Sequence, residues 1–139
     1  MRIYLASPIF TETEMKNIHY AVSLLRKKGH QVFSPSESDY SDLQPGSHEW
    51  SLTIFNEDRK YIDYAEAVVM LYYGAFSDSG TAWEAGYAYG SHKPVVVVHC
   101  GEDSNLMVHE GCHANITLEQ LKDYDFDSMP SKRYEGKMF

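Results

Sequence analysis

A single carboxylate, Glu84, lies among the small and aromatic residues of SDSGTAWEAGYAYG, residues 77–90. Thr81-Ala82-Trp83-Glu84 fits the T-x-x-E capping box, in which the glutamate accepts a hydrogen bond from the first amide of a helix. The positive end of the helix dipole would keep such a carboxylate ionised. An ionised carboxylate in a crevice can also attack an electrophilic carbon. The residue types therefore allow either a helix cap or a nucleophile.

A second carboxylate, Asp58, interrupts the apolar face of a helix predicted in WSLTIFNEDRKYIDYAEA, residues 50–67. At about 100° per residue from Trp50, Asp58 lies at about 80°, between Ile54 at about 40° and Ile62 at about 120°. Burying an unpaired carboxylate is costly, so Asp58 needs either a compensating partner or a cavity that a ligand enters. We favour the cavity, where a desolvated carboxyl has a raised pKa and can donate a proton or contact ring nitrogens.

Three further residues near these carboxylates carry weaker signals. Asp78 precedes Ser-Gly, which is ordinary turn chemistry, and Gly80 adds flexibility before the helix. Tyr4 lies inside the first predicted strand and reaches the same crevice only if its side chain faces that way. The chain has 11 tyrosines, so packing is the commoner role for any one of them.

One motif with the letters of a metal site does not support one. His109-Glu110-Gly111-Cys112-His113 matches the zinc-binding H-E-x-x-H, but Gly111 weakens a helix and no third ligand follows at a suitable spacing. The two cysteines are too far apart for C-x-x-C, and neither G-x-G-x-x-G nor G-x-x-x-x-G-K-[ST] occurs. We therefore expect no metal and no cofactor.

Length and charge restrict the class of protein. The 139 residues fit one domain, 1–139, that can bury a core without disulfides or metal. Twelve Lys and Arg against 20 Asp and Glu give a formal charge of −8, which repels phosphate backbones and anionic lipid. The apolar run at the start, MRIYLASPIF, is too short for a signal peptide, and no apolar run is long enough to span a membrane. We expect a soluble, cytoplasmic protein that binds neither nucleic acid nor membrane.

Short apolar runs alternate with helical patterns, which is typical of βαβ units and a parallel sheet. The predicted strands are residues 2–6, 31–33, 67–73, 94–99 and, more weakly, 114–116. Between the first two, a helix should begin at a capping box, Thr11 with Glu14, and stop at Gly29. The pattern predicts an α/β, flavodoxin-like, doubly wound five-stranded parallel sheet in a single domain.

Such a sheet binds ligands beyond the carboxyl ends of its strands, where the strand order switches between the first and third strands. That edge would bring Ser7 and the segment 74–84 around one crevice. The irregular segment 34–49 exceeds the usual connection length in compact domains, so we interpret it as a binding loop.

Six segments in order resemble the nucleoside 2-deoxyribosyltransferases over nearly the whole chain: IYLASPIF, FNEDRKYIDYAEAVV, DSGTAWEAGYAYGSHKPVVVV, NLM, LKDYDF and YEGKMF. The resemblance implies exchange of the base of a 2'-deoxynucleoside through a covalent deoxyribosyl-enzyme intermediate, without a cofactor. The partners would be 2'-deoxynucleosides and free nucleobases. It also implies a homo-oligomer, a hexamer or an assembly built of dimers, in which neighbouring subunits complete the pocket.

By the same resemblance, Glu84 of WEAGYA would be the nucleophile. Asp78, six residues earlier, and Asp58 of FNED would contact sugar and base, and one of the two would assist proton transfer. Tyr4 of IYLASP would hold the nucleophile by its hydroxyl, and Phe10 would pack near the base.

The chain departs from the family pattern at several positions. Family members contact the sugar with an Asn shortly after NLM, from an adjacent subunit, and here Asn115 is the candidate if one residue is inserted. Some members read the base with a Gln after the second strand, where this chain offers Glu37 and Asp39. Base preference is therefore open. We expect Ser7 and Gly80 to complete the substrate-binding set.

Three other functions stay open at this point. A deoxynucleoside 5'-monophosphate N-glycosidase would share the fold and the glutamate and hydrolyse its substrate, although no Arg or Lys lies near Ser7, Ser77 or Ser79 to bind the phosphate. A Lonely-Guy-type phosphoribohydrolase is suggested by Gly80-Thr81-x-x-Glu84 but lacks the preceding Gly-rich run. A catalytically silent nucleotide sensor would keep its full ligand response without Glu84.

Overall fold

Runs of small and β-branched residues form the strands, and amphipathic segments form the helices, of a computed structural model that describes Met1–Phe139. The strands are β1 Arg2–Ala6, β2 Gln31–Phe33, β3 Ala67–Tyr72, β4 Val95–His99, β5 Asp103–Ser104, β6 Ala114–Thr117 and β7 Lys137–Met138. The helices are α1 Glu12–Lys27, α2 His48–Tyr64, α3 Ser79–Gly90 and α4 Leu106–Glu110. None of these helices combines the length and apolar character needed to cross a bilayer.

Five strands form one parallel sheet in the order β2-β1-β3-β4-β6. This is the flavodoxin-like order predicted from the alternation of strands and helices, and the weak fifth strand is present as β6. The order reverses between β1 and β3, so a crevice is expected beyond their carboxyl ends. The small β5–β7 pair was not predicted, because a two-residue strand has no periodicity to read.

The sheet is covered on both faces. Alternate strand residues pack against α1 and the C-terminal segment on one face, in a core that includes Ile3, Leu5 and Leu25. On the other face Tyr4 and Ala6 pack with residues of α2 and α3. Side chains along a strand alternate between faces, so the direction of Tyr4 is set by the burial of its neighbours Ile3 and Leu5 on the opposite side.

Local capping signals define two of the helix starts. The predicted capping box of α1 is present: Thr11 Oγ1 accepts from Glu14 N–H at 3.2 Å, and Glu14 Oε2 accepts from Thr11 N–H at 2.8 Å. Ser47 caps α2 by accepting from Trp50 N–H at 3.1 Å. The irregular segment predicted over 34–49 therefore ends at Ser47.

Candidate functional site

A cavity of about 570 Å³ lies between α2 and α3. Its wall consists of Trp50, Ser51, Ile54, Phe55 and Asp58 from α2 and Ser79, Gly80, Trp83 and Glu84 from α3. Helix α3 begins shortly after the carboxyl end of β3, so the cavity lies at the edge of the sheet where flavodoxin-like folds bind ligands. The two carboxylates singled out from the sequence face this one space.

Asp78, and not Thr81, begins the helix that carries Glu84. Asp78 Oδ2 accepts hydrogen bonds from Thr81 N–H at 3.1 Å and from Thr81 Oγ1 at 3.4 Å, so Ser79 is the first helical residue. The capping-box interpretation of Thr81 and Glu84 is wrong for this reason, because Glu84 lies in the second turn, too far along to bond to the N-cap amide. Its carboxylate is not used in capping and lines the cavity.

Glu84 is held in an environment that disfavours its charge. Its Oε2 atom is buried and makes no hydrogen bond. Burial raises the pKa of Glu84 to about 8, with further rises from the charges of Asp58 and Asp78, while the Tyr4 hydroxyl opposes the rise. The expectation that the helix dipole keeps Glu84 ionised is outweighed by desolvation, since the carboxylate lies beyond the first turn where the dipole acts.

Asp58 shares this environment. Its Oδ1 atom is buried without a hydrogen-bond partner. Burial, and next the charge of Glu57, raises the pKa of Asp58 to about 6. The charge of Asp58 raises the pKa of Glu84, so the two carboxyls together favour a single negative charge around neutral pH. Glu84 has the higher pKa, about 8 against about 6, so without substrate the proton resides mainly on Glu84 and the charge on Asp58.

Tyr4, on β1, lies near both carboxylates, Glu84 and Asp58. Its side chain is fully buried and stacks on Phe33 with ring centroids 5.7 Å apart. Burial, followed by the charges of Glu84 and Asp58, raises the pKa of Tyr4, so the phenol is neutral and can only donate or accept a hydrogen bond. Its hydroxyl makes no hydrogen bond of standard geometry within the chain, but it lies close enough to Glu84 to favour the ionised form of that carboxyl.

Unsatisfied polar atoms concentrate at this place. Six buried side-chain polar atoms in the chain lack a hydrogen-bond partner: Tyr4 Oη, Tyr40 Oη, Asp58 Oδ1, Ser77 Oγ, Glu84 Oε2 and His99 Nδ1. Four of these atoms belong to Tyr4, Tyr40, Asp58 and Glu84, which lie close enough to shift one another's pKa values. Ser77 directly precedes Asp78 in the chain. Buried polar groups are normally satisfied, so their concentration indicates a site built for a polar ligand.

Several predicted substrate-binding residues are occupied elsewhere in the chain. Glu37 forms a bidentate ion pair with Arg26 of α1, in which Nη1 and Nη2 donate to Oε1 and Oε2 at 2.8 and 2.7 Å. The Glu37 side chain therefore points toward α1. Asp39 is exposed and accepts from Ser41 N–H at 2.9 Å. Neither lines the cavity. An ion pair and a tight turn determine the directions of these two side chains in the single chain, and their role in reading the base stays a prediction.

Asn115 is a structural residue of β6. It is 5% exposed, its Oδ1 lies 2.8 Å from His99 Nε2, and its Nδ2 donates to the carbonyl oxygens of His109 at 3.0 Å and Lys132 at 3.2 Å. An amide with this many internal bonds is not available to a sugar of another subunit without losing them. In the single chain Asn115 is held in the core, and its contact with a sugar in another subunit stays a prediction.

Of the predicted residues Ser7, Phe10 and Gly80, only Gly80 lines the cavity. Ser7 Oγ donates to the carbonyl of Pro8 at 2.9 Å, and Phe10 is 75% exposed, and neither lines the cavity. Gly80 does line it, and a Cβ atom at that position would lie 2.8 Å from Asp78 Oδ2. The lack of a side chain at Gly80 therefore keeps space for the Asp78 carboxylate.

The H-E-x-x-H segment is not one helix. Helix α4 ends at Glu110, so His109 and His113 do not share a helical face. Nδ1 of the buried His109 lies 2.9 Å from Ser104 Oγ, and Nε2 of His113 lies 2.6 Å from the carbonyl oxygen of Met129. Both imidazoles therefore make contacts within the chain, His109 with Ser104 and His113 with the backbone of the C-terminal segment.

Two features of the site were missed. The apolar wall includes Trp50, Phe55 and Trp83, with Phe55 and Trp83 centroids 5.3 Å apart. The helical period that placed Asp58 also places Trp50 about 40° before Ile54 and Phe55 about 20° beyond Ile62, at the two edges of the same apolar face, so this signal was available. The second feature is Tyr40, whose buried hydroxyl comes from the irregular segment, where no periodicity predicts side-chain direction.

Comparisons with known proteins agree with this geometry. The family model described as nucleoside 2-deoxyribosyltransferase matches residues 3–120. The chain is 26% identical over 145 residues to a nucleoside deoxyribosyltransferase of Limosilactobacillus fermentum, covering 91% of this chain and 86% of that one. It is 25% identical over 152 residues to one of Lactobacillus leichmannii, covering 99% and 97%. A solved 2-deoxyribosyltransferase from Bacillus psychrosaccharolyticus superposes with a TM-score of 0.90 at 36% identity, covering 97% and 100%.

Proposed function

The chain belongs to the nucleoside 2-deoxyribosyltransferase family, and on that basis we propose that it carries the 2-deoxyribosyl group as an ester on Glu84. The enzyme transfers this group from a 2'-deoxynucleoside to another purine or pyrimidine base. The observation that supports the covalent route is the unpartnered, buried Glu84 carboxylate in the wall of a cavity that also holds Asp58. No cofactor enters the proposed route.

The chemistry requires two carboxyl groups in different protonation states. Cleavage of the N-glycosidic bond builds positive charge at C1', which an ionised Glu84 stabilises and then bonds, while the departing base takes a proton. A second base attacks C1', breaks the ester and returns the proton, so the configuration is retained. Negative charge on the carboxyl pair stays at one throughout, because the Glu84 ester is neutral and the proton donor becomes ionised.

Asp58 is our choice for that proton donor. The single charge that Asp58 and Glu84 favour equals the charge that the reaction carries at each stage. Without substrate the proton lies mainly on Glu84, which has the higher pKa, so it must pass to Asp58 before the ester forms. Asp78 is less suited, because one of its oxygens caps α3, and we assign it to the sugar. Tyr4 would donate a hydrogen bond to the ionised Glu84, which lowers the pKa of the nucleophile.

Transfer in place of hydrolysis requires that water stay away from the ester. Two residues of the cavity wall are half-exposed in the single chain, Phe55 at 46% and Trp83 at 48%, and Phe76, in the short helical turn before α3, is 93% exposed. We propose that further copies of this chain cover this side, in a hexamer or an assembly of dimers. We also place the enzyme in the cytoplasm, in nucleotide salvage.

The test of function is base exchange. The protein is incubated with thymidine and free adenine, and the mixture is chromatographed for thymine and deoxyadenosine. Equal release of thymine and formation of deoxyadenosine supports transfer, whereas free deoxyribose with no deoxyadenosine contradicts it and indicates an N-glycosidase. Uridine in place of thymidine should be a poor donor.

The covalent step has a separate test. A 2-fluoro-substituted arabinosyl nucleoside should leave its sugar on the enzyme, because fluorine slows breakdown of the ester. Peptide mass mapping should locate the adduct on Glu84 and find none in Glu84→Gln. An adduct on another residue, or undiminished exchange in Glu84→Gln, contradicts the proposed nucleophile.

A further inference from the structure

The turn that leads into α3 is hydrogen-bonded to a part of the chain that is distant in sequence. The turn is the short helical segment Gly74–Phe76. Within it, the amide of Ala75 donates to Oδ1 of Asp103, on β5, at 3.1 Å. Neither the family resemblance nor the reaction proposed above gives Asp103 a role. Its contact with the turn indicates one.

The backbones of the two segments approach too closely for a side chain on either. Gly74 is buried with a φ of +65°, and a Cβ atom there would lie 2.6 Å from the carbonyl oxygen of Asp103 and overlap its carboxylate. Glycine tolerates both the conformation and the approach. A Cβ atom at Gly101 would likewise lie 2.6 Å from the carbonyl oxygen of Tyr73. The hydrogen bond of Asp103 is therefore part of a close contact between two segments.

The segment that carries Asp103 is itself held in place. Asn105 N–H donates to the hydroxyl of the buried Tyr72 at 3.0 Å. Ser104 is fully buried, and its carbonyl oxygen accepts from Phe139 N–H at 3.2 Å, next to the β5–β7 pair. Asp103 is therefore a fixed point against which the turn is held.

The turn determines where Asp78 lies. Only one residue separates Phe76 from Asp78, which caps α3 through its Oδ2 atom. Glu84 depends less on the turn, because α3 packs on the sheet through its buried residues Ala85 and Ala88. A displaced turn would therefore move the Asp78 carboxylate and leave the nucleophile in place.

We propose that Asp103 is a positioning residue for Asp78, and that it acts through the hydrogen bond to Ala75 that holds the turn. This inference rests on the function proposed above, in which the Asp78 carboxylate contacts the sugar. Asp103 does not line the cavity, and it neither gives nor takes a proton. Its effect is on geometry, because a displacement of about 1 Å in a group that contacts the substrate can cost about 100-fold in rate.

The test combines substitutions of Asp103 with Asp78→Asn in the full chain. Asp103→Ala removes the acceptor for the Ala75 amide and should lower kcat/KM for exchange of thymidine with adenine by about 10- to 100-fold. Asp103→Asn keeps a side-chain oxygen that can accept from this amide, so its kcat/KM should stay within about threefold of the native value. In the Asp78→Asn background, Asp103→Ala should cost no more than about threefold, because the carboxylate that it positions is already gone.

A second variant disturbs the same contact without changing Asp103. The added Cβ atom of Gly74→Ala would push the turn away from Asp103, so kcat/KM should fall by about 10- to 100-fold in the native background and little in Asp78→Asn. Glu102→Ala is the matched control, since it removes an exposed carboxylate from the adjacent position. It should leave kcat/KM unchanged. Rates are expressed per mole of folded protein, measured by circular dichroism.

Four results overturn the inference. Unaltered kcat/KM in Asp103→Ala would leave Asp103 without a role, and equal losses in the native and Asp78→Asn backgrounds would make the contact a general support of the fold. A loss in Asp103→Asn as large as in Asp103→Ala would exclude the hydrogen bond as the cause. Full activity in Asp78→Asn would leave no carboxylate to position.

Failure of the proposed function is recognised separately. In that case the native chain would show no base exchange and no adduct on Glu84. Native exchange together with equal losses in the two backgrounds refutes only the role of Asp103.

Discussion

Asp58 on α2 and Glu84 on α3 face one cavity and lie close enough that the charge of Asp58 raises the pKa of Glu84. Neither residue has a basic partner, and each has one buried, unbonded oxygen. A pair of this kind is costly for folding and useful for chemistry, because it holds one proton that a ligand can take.

Asp58→Asn should remove the proton donor. We expect exchange of thymidine with adenine to fall by about 10²- to 10⁴-fold, the usual contribution of general acid catalysis. The pKa of Glu84 should fall as well, because a neighbouring negative charge is gone. Initial rates measured by chromatography test the first part. Glu57→Gln is the matched control, an adjacent carboxylate on the same helix, and a loss as large as that of Asp58→Asn would contradict the assignment.

The pH dependence of stability should report the buried Glu84. Its pKa is about 8 in the folded chain and about 4.5 in the unfolded chain, so above about pH 4.5 the unfolded state releases a proton that the folded state keeps. The free energy of unfolding should therefore fall between about pH 4.5 and pH 8. Asp58, whose pKa is about 6 when folded, adds to the fall between about pH 3.8 and pH 6.

Glu84→Gln should remove most of that fall. The quantity to compare is the free energy of unfolding of the variant minus that of the native chain. This difference should be more favourable to the variant at pH 8.5 than at pH 4, by about 2 kcal/mol or more. Urea unfolding followed by circular dichroism at both values measures this. Glu135→Gln, a change of an exposed glutamate, should leave the pH dependence unaltered. An equal slope in the native and Glu84→Gln chains would show that Glu84 is not desolvated.

Asp78 should separate capping from catalysis. Asp78→Ala removes the acceptor for Thr81 N–H and should cost about 1 kcal/mol of stability. Asp78→Asn keeps a capping oxygen, so its stability should stay within about 0.5 kcal/mol of the native value. Both variants should lose activity if the carboxylate contacts the sugar. Thermal unfolding and exchange rates on the same samples test this, and full activity in Asp78→Asn would leave Asp78 with a capping role alone.

Tyr4→Phe should alter the ionisation of the nucleophile. The Tyr4 hydroxyl lowers the pKa of Glu84 against the larger effect of burial, so its removal should raise that pKa. Because Glu84 has the higher pKa of the two carboxyls, about 8 against about 6 for Asp58, the descending limb of kcat/KM should move upward by about one pH unit. Tyr124→Phe serves as the control, since Tyr124 is buried on the opposite face of the sheet and its hydroxyl donates to the carbonyl oxygen of Pro130 at 3.0 Å. An unmoved limb in Tyr4→Phe would contradict contact between the hydroxyl and the nucleophile.

Much of the architecture was determined by the sequence alone. The alternation of apolar strands with amphipathic helices is sufficient to define a parallel sheet, because parallel strands need long crossovers and the crossovers here are helical. The period of α2 was sufficient to place Asp58 on the inner face, since a helix presents every fourth residue to the same side. These inferences use local regularities, and local regularities survive folding.

The tertiary structure decided the rest. Whether Asp78 or Thr81 caps α3 depends on where the turn after β3 ends. The short helical turn Gly74–Phe76 ends two residues before Asp78, which therefore becomes the N-cap. Glu37 and Asn115 were assigned to the substrate but have partners inside the chain, because loop direction and core bonding have no period. The unpartnered atoms of Tyr4, Tyr40 and Glu84 meet from three separate parts of the chain. Their convergence depends on contacts between residues far apart in sequence, which only packing of the folded chain creates.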